Sequence, residues 1–295
     1  MSKNTQQLVE ADVNQPIVQA KKITYLNGVK QLRTDSVIAE QPLQIRLSWQ
    51  EGNLVRSRVF SITMRTPDDD VNLIIGLLFS ESVIKSINEI DEICTEADSD
   101  TSFENLWEVK LAKGVVPNIA TLERYQITYS SCGLCGSTSL KSLELKNPPL
   151  LNKKSHWLAA DTVCSLPGIM SAQQTLFEQT GGVHAAGLFD GKGHLIDVRE
   201  DIGRHNALDK LIGALLQNEN INRSQLAVLV SGRVSFEIVQ KTVMAGIPVL
   251  IAVGAPSDLA IAAAKRFDLT LIGFTKANSF NLYHGDWRLQ SSSTE

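Results

Sequence analysis

Apolar and polar residues alternate with a period of two in Leu43-Gln44-Ile45-Arg46-Leu47 and again in Phe60-Ser61-Ile62-Thr63-Met64, which predicts two half-buried strands. The period then lengthens. Val71, Ile74, Ile75, Leu78 and Phe79 recur at helical spacing, and Thr66-Pro67-Asp68 ahead of them supplies turn and start signals. Trp107, Val109 and Leu111 alternate as a further strand. Together these elements predict a smaller β-rich N-terminal domain with one helix over residues 22–111. The polar stretch before it, residues 1–21, reads as a disordered arm.

From 112 to 157 the regular pattern fades into Gly, Ser, Asn, Pro and Lys, as expected of a mobile connector with a function of its own. A short helix through Leu140 and Leu143 is expected inside it. From 158 to 285 the pattern returns. Met170 through Phe177 reads as helical, and 183–189 as a strand that pairs with 195–198 across the turn Asp190-Gly191-Lys192-Gly193. Leu208, Leu211, Ile212, Leu215 and Leu216 form one helix face. Strand 226–230, helix 235–244, strand 247–253, helix 257–267 and strand 269–273 then alternate, which implies a parallel sheet covered by helices. The fold class is therefore α/β in this domain and α+β for the whole chain, with residues 286–295 as a tail.

Composition narrows the functions. Of 295 residues 43% are hydrophobic, enough for a packed core, and the net charge of −4 advertises no nucleic-acid partner. An anionic ligand must be held by local groups. The N-terminus lacks an apolar signal region, and runs such as 247–253 are too short to cross a bilayer, so a soluble, cytoplasmic protein without a membrane partner is expected. Four cysteines in such a length make no disulfide framework. Cys94 and Cys164 read as small buried hydrophobes. Cys132 and Cys135 differ, because Ser130-Ser131-Cys132-Gly133-Leu134-Cys135-Gly136 sets two thiols in a run of small residues that leaves the sulfurs approachable. Without a second CxxC or a His pair no zinc site is assigned within the chain, and redox, sulfur-handling or subunit-shared zinc chemistry all stay open.

Ligands of open α/β sheets collect beyond the carboxyl ends of the strands. There this chain carries Ser231-Gly232-Arg233, Gly254-Ala255-Pro256-Ser257 and Phe274-Thr275-Lys276, small residues with free backbone N–H groups and two cations. They describe a pocket for a phosphorylated, nucleotide-like ligand, the plainer alternative being that turns require these residues. Ser257 is placed to cap its helix. A polar run, Arg199-Glu200-Asp201-Ile202-Gly203-Arg204-His205-Asn206, joins a strand to a helix and reads as a site edge; Asp201 suits an early helical turn, and Arg199 and Glu200 are placed to pair. His184 stands among small residues in Gly181-Gly182-Val183-His184-Ala185-Ala186 with room around it. His156, His194 and His284 read as surface residues. Neither GxGxxG nor GxxxxGK[ST] is present.

The segment from Ser130 to Gly136, Thr180-Gly181-Gly182-Val183-His184-Ala185-Ala186, the run from Arg199 to Lys210 and Ser231-Gly232-Arg233 together resemble the signatures of the FdhD family, the sulfur carriers required for formate dehydrogenase activity. Met64-Arg65-Thr66-Pro67 and Phe280-Asn281-Leu282-Tyr283 match it as well. The resemblance implies a C-terminal three-layer domain similar to the cytidine deaminase fold. Deamination itself is not implied, since His184 is not followed by Glu two residues on and no PCxxC occurs. It further implies that a cysteine desulfurase hands sulfane sulfur to Cys132 as a persulfide, with Cys135 as the second thiol. The sulfur then passes to the molybdenum of the bis-molybdopterin guanine dinucleotide cofactor, for the formate dehydrogenase apoenzyme. By the same matching Phe274, Thr275, Lys276, Ala277, Asn278 and Ser279 fall on the segment that binds the guanine dinucleotide, joining Ser231, Gly232, Arg233, His184 and Arg204 as the cofactor-binding set. A dithiol oxidoreductase and a non-catalytic cofactor-binding chaperone are the alternatives, and a homodimer is left open.

Overall fold

The computed structural model describes residues 15–95, 105–117, 140–144, 146–153, 156–218 and 220–290. Cys132 and Cys135, with most of the connector that carries them, lie outside the described residues. So do the first 14 residues and the last five.

The described chain opens on a hairpin, β1 (Ile17–Leu26) and β2 (Val29–Ile38), which pair antiparallel over their whole length and, among the described residues, with no other strand. Asn27 and Gly28 at its tip both have positive φ, the backbone a tight two-residue hairpin turn requires. This corrects the reading of 1–21 as an arm without structure: from Ile17 onward it is strand. The expected strands follow as β3 (Gln41–Glu51) and β4 (Leu54–Arg65), which join β5 (Ile90–Thr95) and β6 (Leu106–Leu111) in a four-stranded sheet of order β4-β3-β6-β5. The expected helix is α1 (Asp70–Ser80), and the short one in the connector is α2 (Leu140–Glu144). Around α2 the connector is partly core, since Leu143, Leu151 and Trp157 are buried.

One helix was expected from Met170 through Phe177, but two are found, α3 (Ala160–Ser171) and α4 (Thr175–Thr180), with a break between them. Pro167 and Gly168 look like a helix stop in the sequence yet lie inside α3. The rest alternates as read: β7 (His184–Phe189), β8 (Leu195–Asp201), α5 (Arg204–Leu216), β9 (Ala227–Val230), α6 (Phe236–Met244), β10 (Val249–Ala252), α7 (Asp258–Arg266), β11 (Thr270–Lys276) and β12 (Ser279–His284). Their sheet has the order β12-β11-β10-β9-β7-β8. Only β9, β10 and β11 run parallel; β7, β8 and β12 are antiparallel additions. Alternation sorts the two faces. Val228, Val230, Leu250 and Ala252 pack towards α5, α6 and α7, while Leu229, Val249 and Ile251 pack towards Val163, Leu166 and Met170 of α3. The architecture is mixed α/β in three layers.

The four-stranded sheet shares the first of these cores: Leu43, Ile45, Phe60 and Val109 belong to one buried cluster with the α5 and α6 side chains. The contact is closest between α1 and α5. A Cβ on Gly76 would lie 1.9 Å from the Asp209 carbonyl oxygen, and one on Gly213 2.0 Å from that of Asn72. Each helix thus offers a glycine to the other's backbone.

The described part of the C-terminal tail, residues 286–290, is also packed rather than loose. Arg288 is fully buried and donates to the carbonyl oxygens of Asn152 and Asp268 and to Thr270 Oγ1, while Leu289 bridges to Leu158. Cys94 and Cys164 are both partly exposed, not buried as their type suggested. No helix among the described residues is long and apolar enough to cross a membrane.

Candidate functional site at the strand ends

Parallel pairing aligns the carboxyl ends of β9 and β10, Val230 opposite Ala252, and sets β11 alongside, Ile272 opposite Ile251, before it runs on past them. Ser231 closes the end of β9: its N–H donates to Ala185 O (3.0 Å), and its Oγ accepts from Ala185 N (2.9 Å). The same Oγ lies 3.4 Å from His184 Nδ1. Gly232 is the wall between two site residues, its missing Cβ falling 3.4 Å from the His184 ring and 3.6 Å from Arg204 Cδ. The loops are then stitched sideways. Gly254 N donates to Gly232 O (3.2 Å) and Phe274 N to Gly254 O (3.1 Å). A Cβ on Gly254 would come within 2.7 Å of Gly232 O, so only glycine allows this approach.

The structure thus brings together His184, Arg204, Ser231 and Gly232, with Arg233 near enough to His184 to act on its charge, and attaches Phe274 through Gly254. Phe274 is 43% exposed and holds φ at +53°, a strained backbone that in folded proteins concentrates at functional positions. Thr275 beside it is buried, and its Oγ1 has no hydrogen-bond partner among the described residues. The segment is not the loop that was expected, however. β11 continues to Lys276, Ala277 and Asn278 form a tight turn, and Ser279 starts β12, so Lys276, Ala277, Asn278 and Ser279 sit on an exposed hairpin at the sheet edge. Ser257 caps α7 as read, its Oγ accepting from Ala260 N.

Arg204 and His205 lie on the first turn of α5, and a buried carboxylate fixes that turn. Asp201 accepts from Gly203 N (2.7 Å), Asn206 Nδ2 (3.1 Å) and Thr66 N (3.1 Å), and pairs with Lys210 (2.8 Å). Lys210 also donates to Thr66 O, and Thr66 Oγ1 accepts from Ile202 N. Arg65, wholly buried, forks onto Asp70 with two bonds of 2.8 Å. The Met64-Arg65-Thr66-Pro67 run is therefore a brace beneath the site. Arg199 and Glu200 do not pair with each other: Arg199 bonds Asp69 and Asp197, and Glu200 accepts the backbone N–H groups of Leu176 and Phe177. A cleft of about 210 Å³ lies between this brace and α4, and its charged lining is already engaged: Arg199 with Asp69, Lys210 with Asp201, and Glu200 with backbone N–H groups of α4. His156 and His194 are exposed, but His284 is half-buried, with Nε2 lacking a partner among the described residues.

His205 was not singled out as a ligand residue, and only its neighbours reveal its part. Its Nε2 lies 3.2 Å from Ser235 Oγ and 3.6 Å from Glu237. Burial drives its pKa down to about 4 against the pull of Glu237. Burial, then the Arg204 and Arg233 guanidinium groups, lower that of His184. Both imidazoles are neutral at pH 7, and the positive charge of the site rests on arginine. The sign follows for stability. A histidine with its folded pKa below the unfolded value near 6.5 stabilises the fold above pH 6.5 and loses that contribution as pH falls towards 4. Between pH 7.5 and 4.5, urea unfolding of the wild type should therefore lose about 2–3 kcal/mol more than His205→Gln does. Parallel pH profiles would refute the assignment.

What the arrangement can hold is an anion. Arg204 Nε is buried with no hydrogen-bond partner among the described residues, an unmet charged donor beside a glycine wall. A phosphate oxygen satisfies such a group well.

The FdhD/NarQ family model matches residues 38–290. The chain belongs to the FdhD/NarQ family. The "Sulfur carrier protein FdhD" of Streptomyces avermitilis is 44% identical over 279 residues, covering 91% of this chain and 94% of its own length. That of Sulfurisphaera tokodaii is 38% identical, covering 87% and 92%. A crystal structure from Desulfotalea psychrophila, named as a formate dehydrogenase accessory protein, superposes with a TM-score of 0.69 at 25% identity, over 92% of this chain and 99% of that one. Both FdhD members span nearly the whole molecule, so the family fold includes both sheets.

Proposed function

We propose that this protein is a sulfur carrier that serves formate dehydrogenase, taking sulfane sulfur from a cysteine desulfurase onto Cys132 and passing it to a bis-molybdopterin guanine dinucleotide cofactor, its substrate. Family membership supports the carrier role, through relatives named as sulfur carriers. The observation that carries the cofactor half is the unmet Arg204 Nε beside Gly232 and His184, a cationic niche suited to the phosphates of a nucleotide. The work is cytoplasmic, where a reducing environment keeps Cys132 and Cys135 as thiols.

In the first step the Cys132 thiolate attacks the outer sulfur of the desulfurase persulfide. The old S–S bond breaks, the desulfurase thiolate leaves, and a persulfide remains on Cys132. Arg204 and Arg233 hold the nucleotide end of the substrate, Gly232 lets it approach the backbone, and neutral His184 and His205 leave the positive charge to the arginines. Binding by the remote nucleotide end makes delivery of sulfur at the other end effectively intramolecular. Cys135 is the second thiol: its thiolate attacks Cys132 Sγ, the persulfide S–S bond breaks, hydrosulfide leaves for the substrate, and the Cys132–Cys135 disulfide that remains is reduced by a cytosolic thiol.

The test is to incubate the protein with a cysteine desulfurase and cysteine and weigh it. The wild type should gain sulfur and Cys132→Ala should not, and only the wild type should restore formate dehydrogenase activity to a strain lacking its carrier. Equal sulfur on both proteins overturns the assignment to Cys132. Full restoration by Cys132→Ala would leave a cofactor-binding chaperone.

A further inference from the structure

His184 is the first residue of β7 and stands where the positive charge of the niche is felt most. Asp201 lies directly across the β7–β8 ladder, Arg204 and His205 face it from the first turn of α5, and Arg233 from the loop after β9. The ring and the Arg204 side chain flank one glycine, 3.4 and 3.6 Å from the place of the Cβ that Gly232 lacks. Burial, then the two guanidinium groups, keep the imidazole neutral. The opposing pull of Asp201 is blunted by Lys210, 2.8 Å from its carboxylate. His205 is itself neutral and adds nothing on either side.

The geometry serves both charge states of the ring. Ser231 Oγ accepts from Ala185 N and lies 3.4 Å from His184 Nδ1. Its hydroxyl donates to Nδ1 when the imidazole is neutral, and its remaining lone pair accepts from Nδ1–H when the imidazole is charged. A second proton therefore finds an acceptor with no side chain displaced. The arginines draw an anion in, and Arg204 Nε, buried without a hydrogen-bond partner among the described residues, marks where its oxygen belongs. Once seated there, the anion cancels the repulsion that opposed the proton. We propose that His184 takes up a proton from solvent as the phosphate end of the nucleotide seats, and so becomes the third cation on it. Such coupling is reciprocal: a ligand that favours the charged imidazole is itself bound more tightly as pH falls. It also selects among nucleotides. A diphosphate, with more negative charge than two guanidinium groups neutralise, draws the proton more strongly than a monophosphate does. The proposal rests on the reading of the niche as the nucleotide site.

The full chain, isotope-labelled at histidine Cε1, is titrated by NMR between pH 5 and pH 8, alone and with saturating guanosine diphosphate or guanosine monophosphate. The signals of His184 and His205 are those lost in His184→Gln and His205→Gln. The His184 midpoint should move to higher pH when the diphosphate is bound, and move less with the monophosphate. Calorimetry supplies a second readout. The ratio of wild-type to His184→Gln affinity for the diphosphate should be about fivefold or more larger at pH 5.5 than at pH 7.5, the ratio cancelling titration of the ligand's own phosphate. A His184 midpoint that stays in place while the diphosphate binds overturns the proposal and leaves the nucleotide site standing. So does a shift confined to His205, which would assign the proton there. A diphosphate that binds the wild type at neither pH overturns the nucleotide reading itself, and the proposal with it.

Discussion

Lys241→Met is expected to lower the unfolding free energy by about 3–5 kcal/mol, because it strands a charge in the core. Lys241 and Asp209 are both essentially inaccessible, joined by bonds of 2.9 and 3.0 Å, and Ser80 Oγ donates to the same carboxylate from α1. Burial, joined by the Glu237 and Glu81 carboxylates, pushes Asp209 up to about 6 despite the adjacent ammonium. Once that ammonium is gone, the carboxylate must either stay ionised without a counter-charge or take up a proton. A carboxyl whose folded pKa lies above the unfolded value stabilises below the unfolded value, and that contribution is lost as pH rises through the folded one. The deficit of Lys241→Met should therefore deepen between pH 5 and pH 8, measured by guanidinium unfolding. The double variant Lys241→Met with Asp209→Leu should recover most of the loss, since an apolar pair of similar volume replaces a buried ion pair at little net cost. A single variant as stable as the wild type would show that water reaches the pair.

The second large effect is expected at Gly213. Replacing a mid-helix glycine by alanine ordinarily stabilises by about 1 kcal/mol. In α5 the new methyl would meet the Asn72 backbone oxygen at 2.0 Å, and a backbone cannot step aside as a side chain does. The helices must separate along their contact, and overpacking of this kind costs about 1–3 kcal/mol or more, which outweighs the propensity gain. Gly213→Ala should lower the melting temperature by several degrees, and Gly76→Ala should do the same from the other side. Gly168→Ala is the control: it lies within α3 with nothing inside 4 Å of the added Cβ, so it should be neutral or stabilising. Equal melting temperatures for Gly213→Ala and Gly168→Ala would contradict the close approach of α1 and α5.

How much of this was legible depended on whether a feature is local. β9 and β10 are buried on both faces, so they read as unbroken apolar runs that no helix or loop imitates. Their alternation with α6 and α7 fixed where the strand ends must lie, and with them Ser231, Gly232 and Gly254. α3 was hidden because Pro167 and Gly168 carry the signs of a break. The start of β1 was hidden because its residues are half-exposed on both faces and show no alternation. Contacts between distant parts of the chain left no trace at all. Thr66 meets Asp201 across 135 positions, and Arg204 stands beside Gly232 only because α5 packs on the sheet that holds β9. The burial of Arg288 is equally silent in a hydropathy pattern, since its partners are carbonyl oxygens.

The meeting of Gly76 with the Asp209 backbone also bears on how the molecule assembles in time. The two partners stand 133 positions apart, and the core that α1 and α5 close is common to both sheets. Neither half can finish burying its apolar face by itself, so a long loop must close before the largest gain in burial arrives. Folding of this kind is slow and all-or-none, and it leaves the nascent N-terminal sheet dependent on sequence that is synthesised much later.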